Sequence, residues 1–313
     1  MPPSPFEELA LRWVAGEGAV DIHSLAPGLV NDSCRVARAG CQYSLRVAKP
    51  HSQDLGIDRE WECKVLRCAA AAGLAPAIEH CEPRQGILVA RWVSGRTWTP
   101  EEIRQPHAID SMARLLRAVH ALPIPQPART MSPAAWIELY LDALDAVARR
   151  GFDAPPGGME QRMAGPKAAG GRPAVLRDAA GWRLARLAGS RSPAAVGVLC
   201  HGDLHRLNVS VSARLVLFDW EFAHVSDPYW DVAGWVANND WTEQAADELL
   251  SGYLQRRPEP AEAARLAHFV WLYDYVCLLW SEVYLTQRPG AASAEVAARA
   301  EALAARLTGR IGP

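Results

Sequence analysis

Residues 199–208, LCHGDLHRLN, bring two histidines, an aspartate and an asparagine together directly after a short apolar run. Because loops that follow strands commonly carry catalytic side chains, we interpret this stretch as a catalytic loop. Asn208 follows Asp203 by five residues, and a second apolar stretch, 215–218, leads into Asp219. Phosphoryl transfer from ATP uses such a set. One carboxylate accepts or orients the proton of a hydroxyl, and an amide and a second carboxylate hold Mg²⁺ on the phosphates. The spacing therefore predicts a phosphoryl-transfer site.

The composition of the chain limits its partners. Half of the 313 residues are apolar, so the chain can bury a large core, and its length favours about two domains or lobes. A net charge of −2 gives no electrostatic reason to expect nucleic acid as a partner. The N-terminus lacks the basic start and apolar run of a secretory signal, and Asp274 and Glu282 interrupt the most apolar C-terminal segment. We therefore expect a cytoplasmic protein with no membrane partner.

The seven cysteines form no CxxC pair and are odd in number. This pattern favours ordinary buried thiols in a reducing compartment over disulfides or a zinc site. Cys200 and His201 are adjacent and could form a nucleophilic pair. Neighbours in a strand point to opposite sides, however, which disfavours that pairing.

The first hundred residues have the pattern of a small β-rich region with one helix. Residues 30–36, 42–48 and 86–93 are rich in β-branched and apolar residues and are bounded by glycine or proline, as is typical of strands. Residues 58–72 begin with acidic side chains and are followed by Gly73. That pattern predicts a helix between the second and third of these strands.

After these strands the pattern becomes helical. Residues 108–122 and 133–150 are predicted helices. Residues 151–173 are rich in glycine, proline and alanine without a sustained period, which predicts a mobile insertion. We expect an N-terminal nucleotide-binding lobe over residues 1–94 and a C-terminal catalytic and acceptor-binding lobe over residues 95–313.

Six segments, in this order, resemble the aminoglycoside phosphotransferase and choline kinase family, and within it the bacterial choline kinase and thiamine kinase-like branch. They are GLVND (28–32), YSLRV (43–47), LGIDREWECKVLRCAAAAGLAP (55–76), HGDLHRLN (201–208), LFDWEFA (217–223) and DPYWDVA (227–233). The resemblance implies a bilobal, protein kinase-like α+β fold. The smaller N-terminal lobe would be an antiparallel sheet with one helix, and the larger C-terminal lobe would be mainly helical. ATP and Mg²⁺ would be the cofactors.

The same resemblance assigns roles to the catalytic loop. Asp203 would be the catalytic base, and Asn208 and Asp219 would be catalytic residues that hold magnesium. Asp231 would brace the loop, and His201 would orient it without entering the chemistry. The role of His205 is left open, because this position varies within the family.

Arg46 stands in the second predicted strand where protein kinases place a lysine, and choline kinase relatives also have arginine there. A guanidinium can make bidentate contacts to phosphate oxygens. Glu62 shares one face of the predicted helix with Val65, Leu66 and Ala69, which favours it as the partner of Arg46. The alternative is a solvated helix on which Glu60 pairs with Lys64.

Two further segments are predicted to bind the nucleotide. The turn PGLVNDSC, with Gly28 and Asn31, precedes Arg46 and would lie over the phosphates, although its single glycine is a weak signal alone. Arg91, Trp92 and Val93 would form the hinge whose backbone meets adenine. Trp92 would be either a wall of that pocket or part of the core.

The acceptor is predicted to be a small alcohol. Eleven residues separate Asp219 from Asp231, which leaves no room for the long activation segment of protein kinases. More than half of the aromatic residues lie between Trp220 and Tyr284. Aromatic faces with carboxylates suit an organic cation, although an aromatic stripe on a long helix can equally be core. The predicted substrate contacts are Glu221, Trp235, Asp274 and Trp280.

Three functions follow from this sequence. The first is phosphoryl transfer to a small cationic alcohol, with choline or ethanolamine before thiamine. The second is phosphoryl transfer to an aminoglycoside or amino sugar, which would need several carboxylates to meet several ammonium groups. The third is a catalytically silent nucleotide-binding module, since fold alone does not establish activity.

Overall fold

The computed structural model describes residues 5–50, 52–152, 173–189, 197–212, 214–287 and 292–311. Most of the predicted mobile insertion, residues 153–172, lies outside the described residues. The α+β fold class is confirmed, since an antiparallel sheet occupies the N-terminal part and helices dominate the rest.

The helices and strands have the following bounds. The helices are α1 (Pro5–Trp13), α2 (Arg59–Ala71), α3 (Pro106–His120), α4 (Pro133–Phe152), α5 (Pro173–Gly189), α6 (Tyr229–Asn238), α7 (Glu243–Leu254), α8 (Pro260–Gln287) and α9 (Ala292–Thr308). The strands are β1 (Asp21–Ser24), β2 (Asn31–Arg38), β3 (Cys41–Ala48), β4 (Ile78–Glu82), β5 (Ile87–Arg91), β6 (Arg96–Thr97), β7 (Val198–Cys200), β8 (Val209–Val211), β9 (Leu215–Leu217) and β10 (His224–Ser226). The three strands predicted before residue 94 are confirmed as β2, β3 and β5. The sequence pattern did not indicate α1, β1 or β4.

The N-terminal sheet has the strand order β1-β2-β3-β5-β4, and every neighbouring pair is antiparallel. Its register pairs Ser33 with Arg46. Tyr43 and Leu45 are buried against α1 in one apolar cluster. Successive strand residues point to opposite faces of a sheet, so Arg46 lies on the other face. The alternation of β3 therefore directs this arginine to the face that lies opposite α1.

Helix α2 begins at an N-cap aspartate, because the carboxylate of Asp58 accepts a hydrogen bond from Trp61 N at 3.0 Å. Its buried face includes Glu62 together with Val65 and Leu66, as the helical period predicts. The structure also joins Cys63 of this helix to Cys81 of β4 in a disulfide, with 6.2 Å between their Cα atoms. The expectation of free thiols throughout is thus wrong for this pair. The packing of α2 against the sheet brings together two cysteines that are 18 residues apart.

The chain forms two compact units. Unit 1 contains Met1–Thr130 and Gly197–Pro258, and unit 2 contains Met131–Val196 and Glu259–Pro313. This partition differs from the predicted boundary between an N-terminal lobe of residues 1–94 and a C-terminal lobe of residues 95–313. That boundary stays a prediction. Within the described part of the chain, β1 to β10 belong to unit 1, together with α1, α2, α3, α6 and α7, whereas α4, α5, α8 and α9 belong to unit 2. Among the described residues, no helix is both long and apolar enough to cross a membrane.

Candidate active site

The catalytic loop follows β7 in unit 1. Gly202 has φ of +86°, and a Cβ at this position would clash with the carbonyl oxygen of Phe222. Only glycine satisfies both the left-handed backbone and this close approach. Further along, residues Arg206–Asn208 form a single 3₁₀ turn that leads into β8. The loop therefore passes tightly under Phe222 before it turns.

Asp231, in the first turn of α6, binds the backbone of this loop. Its Oδ2 accepts a hydrogen bond from the amide of His201 at 2.8 Å, and its Oδ1 accepts one from the amide of Gly202 at 2.9 Å. Nε2 of His120 lies 3.2 Å from Oδ2. Burial alone would raise the pKa of Asp231, but the bond to His120 and the other donors lower it below its ordinary value. A buried carboxylate of this kind stays charged and holds the loop.

His201 is fixed by a second pair of hydrogen bonds. Its Nδ1 accepts from the amide of Asp203 at 3.3 Å, and its Nε2 donates to the carbonyl of Phe218 at 2.8 Å. The side chain is fully buried, and burial lowers its pKa. The ring is therefore neutral. It links the catalytic loop to Phe218, which follows β9 and directly precedes Asp219.

Asn208 is oriented by Asp203. Its Nδ2 donates to the carbonyl of Asp203 at 2.9 Å and lies 3.4 Å from Oδ2 of the same residue. Because the nitrogen is used in this way, the amide oxygen of Asn208 faces the opposite direction. The backbone oxygen of Asn208 accepts from Phe218 N at 2.9 Å, which places Asn208 beside the strand that carries Asp219.

Asp219 has an unusual backbone conformation, with φ of 62° and ψ of 62°. A non-glycine residue in this region is uncommon and is often found at functional sites. Its Oδ1 accepts a hydrogen bond from Nη1 of Arg46 at 3.2 Å. Burial and the neighbouring carboxylate of Glu221 raise the pKa of Asp219, so the site carries negative charge that its surroundings do not fully compensate.

A buried network of charged side chains connects these residues to the sheet and to α2. Nη2 of Arg46 donates to Oε1 of Glu62 at 2.5 Å. Arg59 donates to Glu62 and to Glu221, each at 2.8 Å. Asn31 completes the network, since it donates to Glu221 at 2.7 Å and accepts from Arg59 at 2.8 Å.

Arg59 is a residue that the sequence analysis missed. The signal was present, because Arg59 lies three residues before Glu62 on the buried face of α2, as i,i+3 pairs do. Glu221, predicted as a substrate contact, has its carboxylate bound by Arg59 and Asn31. This geometry gives Glu221 the position of a structural link between α2 and the segment that carries Asp219.

The predicted turn and hinge lie at opposite ends of the strands of the N-terminal sheet, since Asn31 pairs with Ala48 whereas Arg91 pairs with Tyr43. Lys49 Nζ and the carbonyl of Gly28 are 2.6 Å apart, and Gly28 N donates to the carbonyl of Asn31 at 3.1 Å. These bonds close the turn before β2. In the predicted hinge, Trp92 N donates to the carbonyl of Gln42 at 2.9 Å, and Val93 is half-buried after the end of β5.

Arg91, the first residue of the predicted hinge, lies over the ring of Tyr43, with 4.8 Å between the guanidinium carbon and the ring centroid. It also forms an ion pair with Glu79. The side chain of Arg91 is therefore used within the sheet, and its backbone N–H donates to the carbonyl of Ala77 at 2.8 Å.

The other three predicted substrate residues are described within their own units. Trp235 in unit 1 is 1% exposed and packs edge to face against Trp98 and Trp241. In unit 2, the buried carboxylate of Asp274 accepts from Arg306 at 2.5 Å. Trp280 stacks on the buried ring of Tyr284.

His120 and Tyr253 are further residues that sequence reasoning did not identify. Nδ1 of His120 lies 2.9 Å from the hydroxyl of Tyr253, and Nε2 of the same ring contacts Asp231. Through these contacts, α3 and α7 are linked to Asp231, which binds the backbone of the catalytic loop. No local motif marks them, because the three partners lie in three separate helices.

These features define a phosphotransferase of the protein kinase-like class. Residues 21–267 match the family described as the phosphotransferase enzyme family, APH, and the chain belongs to that family. It is a small-molecule phosphotransferase. No curated protein matches this chain significantly in sequence.

Solved structures share the fold. A choline/ethanolamine kinase family protein from Mesorhizobium loti is 23% identical, with a TM-score of 0.71 over 97% of this chain and 94% of its own. Choline kinase LicA from Streptococcus pneumoniae is 20% identical, with a TM-score of 0.72 over 97% of this chain and 98% of its own. A spectinomycin phosphotransferase is 11% identical, with a TM-score of 0.59 over 98% of this chain and 97% of its own. The kinase-like fold predicted from the sequence is confirmed.

Proposed function

We propose that this phosphotransferase transfers the γ-phosphoryl group of ATP to the hydroxyl of a small cationic alcohol such as choline, ethanolamine or thiamine. The observation that carries the proposal is the arrangement of Asp203, Asn208 and Asp219. Asn208 Nδ2 is engaged by Asp203, so its amide oxygen faces away from the base. ATP as the donor is supported by the family and by the structure of LicA, which contains AMP. The cytoplasmic location expected from the sequence stays a prediction.

The residues present fit a magnesium ion. The amide oxygen of Asn208 and the carboxylate of Asp219 are the oxygen ligands that Mg²⁺ prefers. Glu62, Asp219 and Glu221 have ligand oxygens within 4.8 Å of one another, and burial raises the pKa of Asp219. A cation would relieve this unfavourable charge. Asn208 and Asp219 would hold the ion, which would neutralise charge on the phosphates.

The mechanism follows from the remaining side chains. Asp203 orients the acceptor hydroxyl and takes its proton as the oxygen bonds to the γ-phosphorus. The bond from that phosphorus to the bridging oxygen of ADP breaks, and ADP leaves with the bonding electrons. Arg46, held by Glu62, binds phosphate oxygens and keeps the reacting groups aligned.

The charge of the acceptor is inferred from the similar structures and from the partners of the predicted acidic contacts. The structures with choline or ethanolamine kinase names have higher TM-scores than the spectinomycin phosphotransferase. The carboxylates of Glu221 and Asp274, which an aminoglycoside would need as counter-charges, are paired with Arg59 and Arg306. A monocation is therefore favoured over a polyamine.

The experiment is a coupled assay of ADP release with choline, ethanolamine, thiamine and a kanamycin-type aminoglycoside as acceptors. Asp203→Asn should lower acceptor-dependent kcat by about 10²-fold or more and leave ATP affinity close to wild type. Asp247→Asn, an exposed change on α7, is the matched control. Wild-type turnover in Asp203→Asn would show that Asp203 is not the catalytic base. ATP binding with no turnover on any acceptor would favour the catalytically silent module.

A further inference from the structure

The catalytic loop contains a second histidine, His205, which the family resemblance leaves without a role. We propose that His205 is a positioning residue that, with Asn208, holds one oxygen of Asp203 and presents the other to the acceptor hydroxyl. The inference rests on the proposed function, because it assumes that Asp203 is the base. The argument depends on which ring nitrogen of His205 carries the proton.

The backbone of the loop determines the proton position. His205 is the N-cap residue of the 3₁₀ turn Arg206–Asn208, and its Nδ1 accepts a hydrogen bond from the amide of Leu207 at 3.2 Å. An amide nitrogen can only donate, so Nδ1 has a free lone pair and no proton. The neutral ring therefore carries its proton on Nε2.

That nitrogen faces the catalytic carboxylate. Nε2 of His205 lies 3.7 Å from Oδ2 of Asp203, and the side chains are only 28% and 29% exposed. Nδ2 of Asn208 lies 3.4 Å from the same oxygen. Two N–H groups thus approach Oδ2, while Oδ1 lies on the opposite side of the carboxylate carbon. Oδ1 is the oxygen that accepts the proton of the acceptor.

The separation of 3.7 Å is longer than a hydrogen bond, so the effect is orientation of a charge by a nearby dipole. Loss of this orientation should slow the chemical step without weakening nucleotide binding. A displacement of about 1 Å in a reacting group can cost 10²-fold in rate, so a partial loss of alignment should cost about tenfold.

Two amide substitutions separate the functions of the ring. In His205→Asn, the amide oxygen can replace Nδ1 as acceptor for Leu207, but the shorter side chain brings no donor from residue 205 to Asp203. In His205→Gln, the longer side chain places an N–H near the position of Nε2. We expect kcat to fall about tenfold in His205→Asn, with the KM for ATP and the melting temperature unchanged, and to recover to within about threefold in His205→Gln. His107→Asn, an exposed histidine on α3, should behave as wild type.

A coupling test completes the experiment. If His205 acts through Asp203, adding His205→Asn to Asp203→Asn should cause no further loss of kcat. Unchanged kcat in His205→Asn, a rise only in the KM for ATP, or full additivity with Asp203→Asn would each overturn the inference. The proposed function is tested separately by acceptor-dependent turnover of the wild type and by the fall of about 10²-fold or more in kcat of Asp203→Asn. A wild type without acceptor-dependent turnover would overturn both proposals.

Discussion

Arg59 and Glu221 are 162 residues apart in the sequence and form a buried ion pair, with 2.8 Å between Nη1 and Oε2. Arg59 also binds Glu62, so one guanidinium neutralises part of two buried carboxylates. Through this pair, α2 is linked directly to the segment that carries Asp219.

Replacing Arg59 with alanine should destabilise the protein strongly, because Glu62 and Glu221 would stay buried with Arg46 as their remaining cation. Breaking a buried ion pair by removal of one partner costs about 3–5 kcal/mol. Urea unfolding would measure the change. Arg67→Ala, an exposed change on the same helix, should lie within about 0.5 kcal/mol of wild type. Equal stability of the two variants would show that Arg59 contributes nothing beyond a surface arginine.

The pair of Arg46 and Glu62 predicts non-additive effects on ATP binding. Arg46→Ala should raise the KM for ATP about tenfold, and Glu62→Gln should raise it less, because Glu62 acts by orienting the guanidinium. The double variant should be no worse than Arg46→Ala alone. Glu60→Gln, exposed on the same helix, is the control. Losses in the double variant that equal the sum of the single losses would contradict the pairing.

Replacing Gly202 with alanine should destabilise the protein. Gly40→Ala places a Cβ in open space at φ of +75°, so its cost is conformational and about 1–2 kcal/mol. Gly202→Ala adds a clash with the carbonyl of Phe222 and should cost at least about 1 kcal/mol more. Thermal unfolding of both variants gives the difference. A smaller loss at Gly202 than at Gly40 would mean that the loop can move away from Phe222.

Buried histidine makes stability depend on pH. Burial lowers the pKa of His224 to about 4, from 6.5 in the unfolded chain, and its Nδ1 donates to the carbonyl of Phe222 at 2.8 Å. Between these values the folded state binds fewer protons than the unfolded state. Stability therefore falls as the pH decreases from 6.5 to 4, by up to about 3 kcal/mol from this residue.

The substitution that tests this pH dependence is His224→Asn, in which the amide nitrogen can replace the donor to Phe222 without titrating. Urea unfolding at pH 7, 6 and 5 should show a smaller decline for the variant than for wild type. Exposed His107→Asn should keep the wild-type slope. A decline unchanged by His224→Asn would assign the pH dependence to other groups, among which buried His201 also has a lowered pKa.

The sequence predicted those elements whose pattern is local. Three strands and α2 follow from β-branched runs and a 3.6-residue period, and Glu62 lies on the buried face as that period requires. Long-range pairs could not be predicted in this way, because the pattern of one element does not reveal its neighbour. The link from Arg59 to Glu221 and the disulfide between Cys63 and Cys81 depend on how α2 packs, which a single sequence does not specify.

The roles of the aromatic residues also could not be predicted from the sequence. Composition and spacing suggested a cation-binding group, yet Trp235 packs between two other tryptophans and Tyr284 is buried beneath Trp280. Aromatic side chains serve both cores and cation sites. The choice between these roles depends on which faces the surrounding helices cover, and helical spacing does not contain that information.

Because Asp231, His201 and the ring of His205 all hydrogen-bond to the backbone of the catalytic loop, the path of that backbone does not depend on the side chain of Leu207. Leu207, in the same loop, is 53% exposed. In a saturation library at this position, the variants should therefore keep the backbone of the loop, and with it the positions of Asp203 and Asn208. Natural substitutions at position 207 are expected to be tolerated for the same reason, so the outer surface of the loop can change in evolution while Asp203 and Asn208 keep their positions.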